Sequence, residues 1–240
     1  MRQDQVVNEG VVTTFPSPLP CGIHSIETGV RVQALFVHGM GRSPISGWRL
    51  LVRLKAHGIT PHAFGYATTF QRFDAIRNRL TARIHTLSAA GDYVLIGHSL
   101  GGILLRAAVA SLPAGTHLPR QIFLLGSPIK AARLAQKLQH NWIFRALAGD
   151  CGQLLASQSR MAQIEPSPVP TTSILGVTGW RGRLNPFQGE VNDGIVSVSE
   201  ASAAWIAEEF RVPAIHTYLP SNSRVSKIIL ERIANPNNTA

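Results

Sequence analysis

Apolar positions along the chain fall into two patterns, short unbroken runs and stripes at three- and four-residue spacing, and each dictates a different element. Ala34, Leu35, Phe36 and Val37 form a continuous apolar run, as a strand does when both faces of its sheet are covered, and predict a strand over 31–37. Similar runs predict strands over 93–96, entered by the Gly91-Asp92 turn, over 122–125 and over 172–177. Between the first two, Phe73, Ile76, Leu80, Ile84 and Leu87 recur at helical spacing, with Arg72, Arg77, Arg79 and Arg83 among them. That is a surface helix with one buried stripe. Behind Ser99, Leu104, Leu105, Ala107, Ala108 and Val109 leave almost no polar face, as in a helix pressed against a sheet. Near the end, Val225, Ile228, Ile229 and Ile233 share one helical face, with Ser221 or Ser223 available as an N-cap. Strands alternating with helices from about residue 31 predict an α/β fold, a mostly parallel central sheet flanked by helices. The division expected is a single domain over 1–240 with an N-terminal arm at 1–30 and a frayed tail at 235–240.

Residues 129–170 stand apart, running past forty positions between two core strands and holding Leu134, Leu138, Trp142, Ile143, Phe144 and Leu147. A helical cap or lid fits this segment. So does an ordinary surface helix pair followed by a linker at Pro166, Pro168 and Pro170. If it is a cap, Trp142 and Phe144 line an acyl pocket. Residues 179–188, with Trp180, Arg181, Arg183 and Phe187, form either a second rim or a plain basic loop.

Composition narrows the classes. With 45% apolar and 15% charged residues the chain can bury a large core, which excludes a disordered segment. The net charge of +10 comes from arginines spread along the chain, without a run or aromatic interleaving, so no nucleic-acid partner is expected. A weak peripheral contact with an anionic membrane surface agrees with that charge, as does a merely solvated basic exterior. Cys21 and Cys151 lie in no Cys-x-x-Cys pattern and are expected as two free thiols rather than a zinc or redox site. Residues 1–12 hold no apolar run of the secretory type, and the apolar stretch 93–112 is interrupted by His98, Ser99 and Arg106. Neither a leader nor a membrane span is expected, and the expected location is cytoplasmic. No metal or cofactor is expected.

The candidate chemistry centres on Gly97-His98-Ser99-Leu100-Gly101. Such a five-residue match arises by chance too readily to stand alone. Its setting decides: an apolar strand precedes it and a helical pattern follows, the context that thrusts a serine nucleophile out of a sheet on a sharp turn. Side chains at Gly97 and Gly101 would collide with neighbouring elements. A second sign is Val37-His38-Gly39-Met40-Gly41, a glycine-containing loop directly after an apolar strand. The amides of Met40 and Leu100 are the candidate oxyanion donors. His38 and Gly39 are expected to order that loop rather than to react.

A serine hydroxyl attacks poorly at neutral pH and needs a histidine base held by a carboxylate. Serines on such turns take an acid and then a histidine further along the chain. His117, His140 and His216 follow Ser99; the first comes too soon, the second lies in the inserted segment, and His216 sits between an apolar stretch and the last helix. Asp193, in Asn192-Asp193-Gly194-Ile195-Val196, is the favoured acid over Glu190 and Asp150, although Asp-Gly is also a common turn dipeptide.

In these motifs the sequence resembles the α/β-hydrolase superfamily, and more narrowly its lipase-like branch of bacterial esterases and lipases, over about residues 31–234. The elbow 95–102, the loop 37–41, the acid turn 193–198 and His216 carry the likeness. The resemblance implies an α/β-hydrolase fold, a Ser99, His216, Asp193 triad, and cleavage of small-molecule or lipid esters through an acyl-enzyme. Thioesterases and acyltransferases share the frame. The chain departs from secreted members in lacking an evident leader and calcium site, and in placing Pro213 just before His216.

Overall fold

The computed structural model describes residues 32–235. Six parallel strands form one sheet in the order β2-β1-β3-β4-β5-β6. They are β1 (Gln33–Val37), β2 (Thr60–Phe64), β3 (Tyr93–His98), β4 (Gln121–Leu125), β5 (Thr171–Gly176) and β6 (Glu208–Val212). The helices are α1 (Trp48–Ala56), α2 (Phe73–Ser88), α3 (Leu100–Ala110), α4 (Arg133–Leu138), α5 (Trp142–Ala156), α6 (Gln158–Ala162), α7 (Val198–Ala201) and α8 (Ser223–Ala234). The four strands expected from apolar runs are the four inner ones, and they are buried almost throughout.

Each face of the sheet carries its own core. Leu35, Val37, Leu95 and Leu124 pack with α2, α3 and the inserted helices on one side. Ala34, Phe36, Ile96 and Phe123 pack with α1 and α8 on the other. Alternate residues of one strand thus feed opposite cores, which is why the inner strands are apolar without a break. The helix expected around Phe73–Leu87 is α2, and all five stripe residues are buried.

The sheet is built outward from β1 in two directions. The chain passes from β1 to β2 at one edge, then returns to β3 on the other side of β1 and proceeds to β6. The switch point therefore lies between β1 and β3, where Val37 faces Gly97 across the register. Loops leaving the two strands there diverge and open a crevice beyond their carboxyl ends, the place where open parallel sheets bind ligands. His38 to Gly41 leave β1 there and Ser99 leaves β3.

The inserted segment is helical, comprising α4, α5 and α6, and its inner side belongs to the core through Ala135, Cys151, Leu154, Leu155 and Met161. Gly149 breaks α5 with φ 56° and ψ −147°, and a Cβ there would lie 2.4 Å from the Thr68 carbonyl oxygen. Arg106, the one charge in α3, is buried; its Nη2 donates to the carbonyls of Ile164 and Glu165 at 2.7 and 2.9 Å, and its guanidinium stacks on Trp205. It ties the end of the insertion to the helix that begins behind Ser99.

Two expectations are corrected. The last helix is capped by neither Ser221 nor Ser223 but by Asn222, whose Oδ1 accepts from Arg224 N at 2.8 Å. Pro213 does not interrupt an interior strand: β6 is an edge strand and ends at Val212. Cys151 is a free buried thiol, pushed up to about 12 by burial, whereas Cys21, the arm 1–30 and residues 236–240 lie outside the described residues. Among the described residues, no helix is long and apolar enough to cross a membrane.

Candidate active site

Ser99 sits in the one-residue turn between β3 and α3 with φ 53° and ψ −122°. A side chain tolerates that region only under strain of about 1–3 kcal/mol, which the surroundings must hold. They do so by close approach. A Cβ on Gly97 would fall 2.4 Å from Gly102 Cα, and one on Gly101 would fall 2.2 Å from the Val37 carbonyl oxygen. The turn is further pinned by Ser99 N, which donates to Leu125 O at 2.9 Å. The collision expected for side chains at 97 and 101 is thus present, against α3 and β1.

The loop after β1 lies directly beside this turn. A Cβ on Gly39 would be 3.1 Å from Ser99 Cβ and 3.0 Å from His98 Nδ1. Met40 N and Leu100 N donate to no protein acceptor among the described residues. Leu100 is the first residue of α3, so its amide has no carbonyl one turn back, and the positive end of the helix adds to its pull on an anion. Two unused donors therefore flank the half-buried Ser99.

His38 orders the loop. Its Nδ1–H donates to Gly39 O at 2.8 Å and its Nε2 accepts from Tyr66 N at 3.4 Å. Tyr66 stacks on the imidazole at 4.2 Å and donates its hydroxyl to His38 O at 2.7 Å. Both ring nitrogens are committed, in keeping with an ordering role.

Asp193 and His216 meet across 23 residues of sequence: His216 Nδ1–H donates to Asp193 Oδ2 at 2.6 Å. Because a carboxylate only accepts, the proton sits on Nδ1 and the lone pair of Nε2 is left available as a base. Asp193 Oδ1 accepts from Ile195 N and Val196 N at 3.0 and 2.8 Å, so the carboxylate is buried with every oxygen engaged. The backbone repeats the link, His216 N donating to Asp193 O at 2.8 Å. Asn192 holds the turn from beneath: its Nδ2 donates to the carbonyls of Trp180 and Glu190, and its Oδ1 accepts from Trp180 N and Gly194 N. Neither Asn192 nor Tyr66 stands out in the sequence, and an asparagine before Asp-Gly carries no signal beyond that of a turn.

His98 joins the two halves. Its Nε2–H donates to the His216 carbonyl at 3.0 Å and its ring lies 4.8 Å from the His216 ring. On the other side, a Cβ on Gly126 would be 3.0 Å from His216 Nδ1, and Gly126 directly follows the residue that receives Ser99 N. The imidazole of His216 is therefore bounded by His98 and Gly126, the immediate neighbours of the Ser99 turn. No hydrogen bond joins the Ser99 hydroxyl to His216 here; such bonds are commonly long before substrate binds and tighten afterwards.

Burial lowers the proton affinity of two of these rings. His98 lies well below the ordinary imidazole range because it is desolvated and faces His216; His38 is lowered by burial, partly offset by its bond to Gly39. The unfolded chain takes up protons below about pH 6.5 that the folded chain refuses. Stability is thus fully present above that pH and is expected to fall as pH drops toward the lowered folded values, by up to about 1.4 kcal/mol per pH unit for each ring still neutral. Urea midpoints between about pH 8 and about pH 5 check this. A midpoint that rises on acidification contradicts the buried neutral rings.

The expected substrate-pocket residues are not brought together as expected. Phe144 turns inward and packs against Gly152, but Trp142 is 76% exposed on the outer side of α5, because the inward face of that helix is taken by Phe144, Ala148 and Cys151. Trp180 is also exposed; its indole N–H donates to Gly194 O at 3.1 Å, bracing the acid turn. Among the described residues, no cluster of three or more metal-ligating side chains occurs.

An open six-stranded parallel sheet flanked by helices, with a strained serine turn at its switch point, is the architecture of the α/β-hydrolase fold. The chain belongs to the alpha/beta hydrolase family, whose sequence model matches residues 34–224. No curated protein matches the sequence significantly. Among solved structures the chain is similar to the mature Bacillus licheniformis lipase BlEst2, with a TM-score of 0.66 at 17% identity over 86% of this chain and 93% of that one. It is also similar to the metagenomic carboxyl esterase MGS0156, with a TM-score of 0.66 at 16% identity over 91% and 77% of the two chains. A third is the RedJ thioesterase of prodiginine biosynthesis in Streptomyces coelicolor, with a TM-score of 0.54 at 14% identity over 93% and 90%. At these identities the likeness speaks for the fold alone.

Proposed function

We propose that the protein is a serine hydrolase that cleaves carboxylic esters through an acyl-enzyme on Ser99. The observation that carries this reading is the 2.6 Å bond from His216 Nδ1 to Asp193, which leaves Nε2 basic on a ring lodged beside the Ser99 turn. His216 Nε2 takes the hydroxyl proton as Ser99 Oγ bonds to the ester carbonyl carbon. The carbonyl oxygen becomes an oxyanion that accepts from the free amides of Met40 and Leu100, each lowering the barrier by about 3 kcal/mol. When the tetrahedral species collapses, the C–O bond to the alcohol breaks and the imidazolium returns its proton to the leaving oxygen. Water then repeats the sequence with the same base and releases the acid and the free serine.

Asp193 fixes the tautomer and balances the imidazolium charge that appears twice in each cycle. The relatives named as a lipase and a carboxyl esterase agree with an ester substrate, and the one named a thioesterase agrees with the same chemistry on a thioester. A panel of p-nitrophenyl esters of graded chain length, assayed with and without an added alcohol acceptor, tests the reading. Release of free acid that dominates over acyl transfer to the added alcohol is expected. Transfer that outruns hydrolysis would instead assign the site to an acyltransferase.

A further inference from the structure

All six strands point the same way, so the segments that follow their carboxyl ends gather at the end of the sheet that holds Ser99. Among the described residues, nearly all of the large apolar side chains left exposed lie in those segments, with Val52 and Leu118 as exceptions. Phe70, after β2, is 88% exposed; Trp142, Ile143 and Leu147 stand on the outer side of α5, Trp142 at 76% and Leu147 at 62%. Ile143 and Leu147 are one turn apart, and the hydroxyls of Thr68 and Thr69 donate to Leu147 O at 3.3 and 3.0 Å, which holds the Phe70 loop against this helix. Phe70 and Leu147 are thus held near each other, and with Ile143 and Trp142 they leave large apolar side chains facing solvent at this end of the sheet. Exposure on this scale at one end of a molecule marks a surface that is covered in use.

The charge left over at the same end is positive. Its carboxylates are engaged internally: Asp74 pairs with Arg77, Asp150 with Arg160, Glu190 with Arg133 and Asp193 with His216, while buried Glu200 accepts from Arg133 N and Ser197 N. Arg42, Arg72, Arg145, Arg181 and Arg183 lie exposed in these segments, and among the described residues none pairs with a carboxylate. Arg145 is three residues from Trp142 on α5 and so lies beside it on the helix surface, and Arg72 follows Phe70 by two residues at the N-cap of α2. Apolar side chains bordered by arginines that form no salt bridge fit a surface that is apolar inside and negative outside. A protein partner would need acidic groups placed at each arginine, whereas a lipid surface supplies phosphates at any spacing.

We infer that this end of the molecule docks on an anionic lipid bilayer, with Phe70, Trp142, Ile143 and Leu147 entering the acyl boundary and Arg72 and Arg145 held at the phosphates, so that the Ser99 crevice opens onto the membrane. The inference deepens the ester-hydrolase reading by naming where its substrate resides, and it rests on that reading only for that purpose. Docking itself is independent of catalysis.

The full chain carrying Ser99→Ala, which leaves the lipid intact, is floated with vesicles of phosphatidylcholine alone or in equal parts with phosphatidylglycerol, at low and high salt. Binding to the mixed vesicles, weakened by salt and absent from pure phosphatidylcholine, is expected. Arg72→Glu with Arg145→Glu is expected to weaken it by about 10-fold or more, and Phe70→Ser with Leu147→Ser comparably. In the Ser99 background both pairs are expected to hydrolyse a short water-soluble ester within about twofold of the parent, since they act on docking alone. No partition to mixed vesicles, equal partition to both kinds, or binding unmoved by either pair of substitutions overturns the inference. So does a dimer in analytical ultracentrifugation that Phe70→Ser with Leu147→Ser dissolves, which gives the patch to a second copy. Loss of soluble-ester hydrolysis in the parent protein, with vesicle binding intact, counts against the hydrolase reading and leaves docking standing.

Discussion

Ser99→Ala is expected to lower kcat for p-nitrophenyl ester hydrolysis by on the order of 10⁶, with binding and fold retained. The hydroxyl makes no hydrogen bond that the fold uses, while the backbone of the turn is held by Ser99 N to Leu125 O and by the close packing of Gly97 and Gly101. Removing the oxygen therefore deletes the nucleophile and little else. The free amides of Met40 and Leu100 stay in place, so a small residual rate from oxyanion stabilisation is expected. Steady-state kinetics beside a thermal melt check both halves; a variant that folds normally and keeps a tenth of the activity removes Ser99 from the chemistry.

Asp193→Asn is the second large effect, a fall in kcat of about 10⁴. The reason lies in how the two carboxylate oxygens are used. Oδ1 accepts from Ile195 N and Val196 N, and Oδ2 accepts from His216 Nδ1. An asparagine has one oxygen for both duties. Keeping it on the two amides turns the NH₂ group toward His216, which must then accept on Nδ1 and carry its proton on Nε2, where the base is needed. Nitrogen NMR of the imidazole reports that tautomer directly. Unchanged kcat with Nδ1 still protonated means that Asp193 only shapes the turn.

The sequence disclosed the inner architecture because burial on both faces demands an unbroken apolar run, and Ala34 to Val37 or Tyr93 to Ile96 leave no other element to fit. The edge strands carry no such demand. β2 spells Thr-Pro-His-Ala-Phe, half exposed and with a proline that only an edge tolerates, and β6 spells Glu-Glu-Phe-Arg-Val, so neither stands out from a loop. The same limit applied to helices: α1 packs its Leu50 and Leu54 in the second core, yet its short stripe is masked by Arg49, Arg53 and Lys55.

At the candidate site, Ser99, Asp193 and His216 stand out in the sequence as candidates because each sits in a motif or an order that the proposed chemistry requires. What surrounds them was not. His98 reads as a filler letter of the elbow, although its Nε2–H secures the His216 carbonyl and its Nδ1 is buried without a partner. Tyr66 acts on His38, 28 residues away, which leaves no local spacing to detect, and Asn192 bonds Glu190, Gly194 and Trp180 in a turn whose residues look like any other turn. The exposed setting of Trp142 is illegible for a related reason: clustering of aromatics shows that a helix has an apolar face, but not whether a given side chain on it turns inward or to the solvent.

The central claim is that a base on residue 216 activates the hydroxyl of residue 99. Reaction of the native chain with a fluorophosphonate, followed by peptide mass mapping, tests it in one measurement. A single adduct on Ser99, slowed by several orders of magnitude in His216→Ala and absent after unfolding, is the expected result. An adduct on another serine, or a Ser99 adduct that forms equally fast without His216, contradicts it.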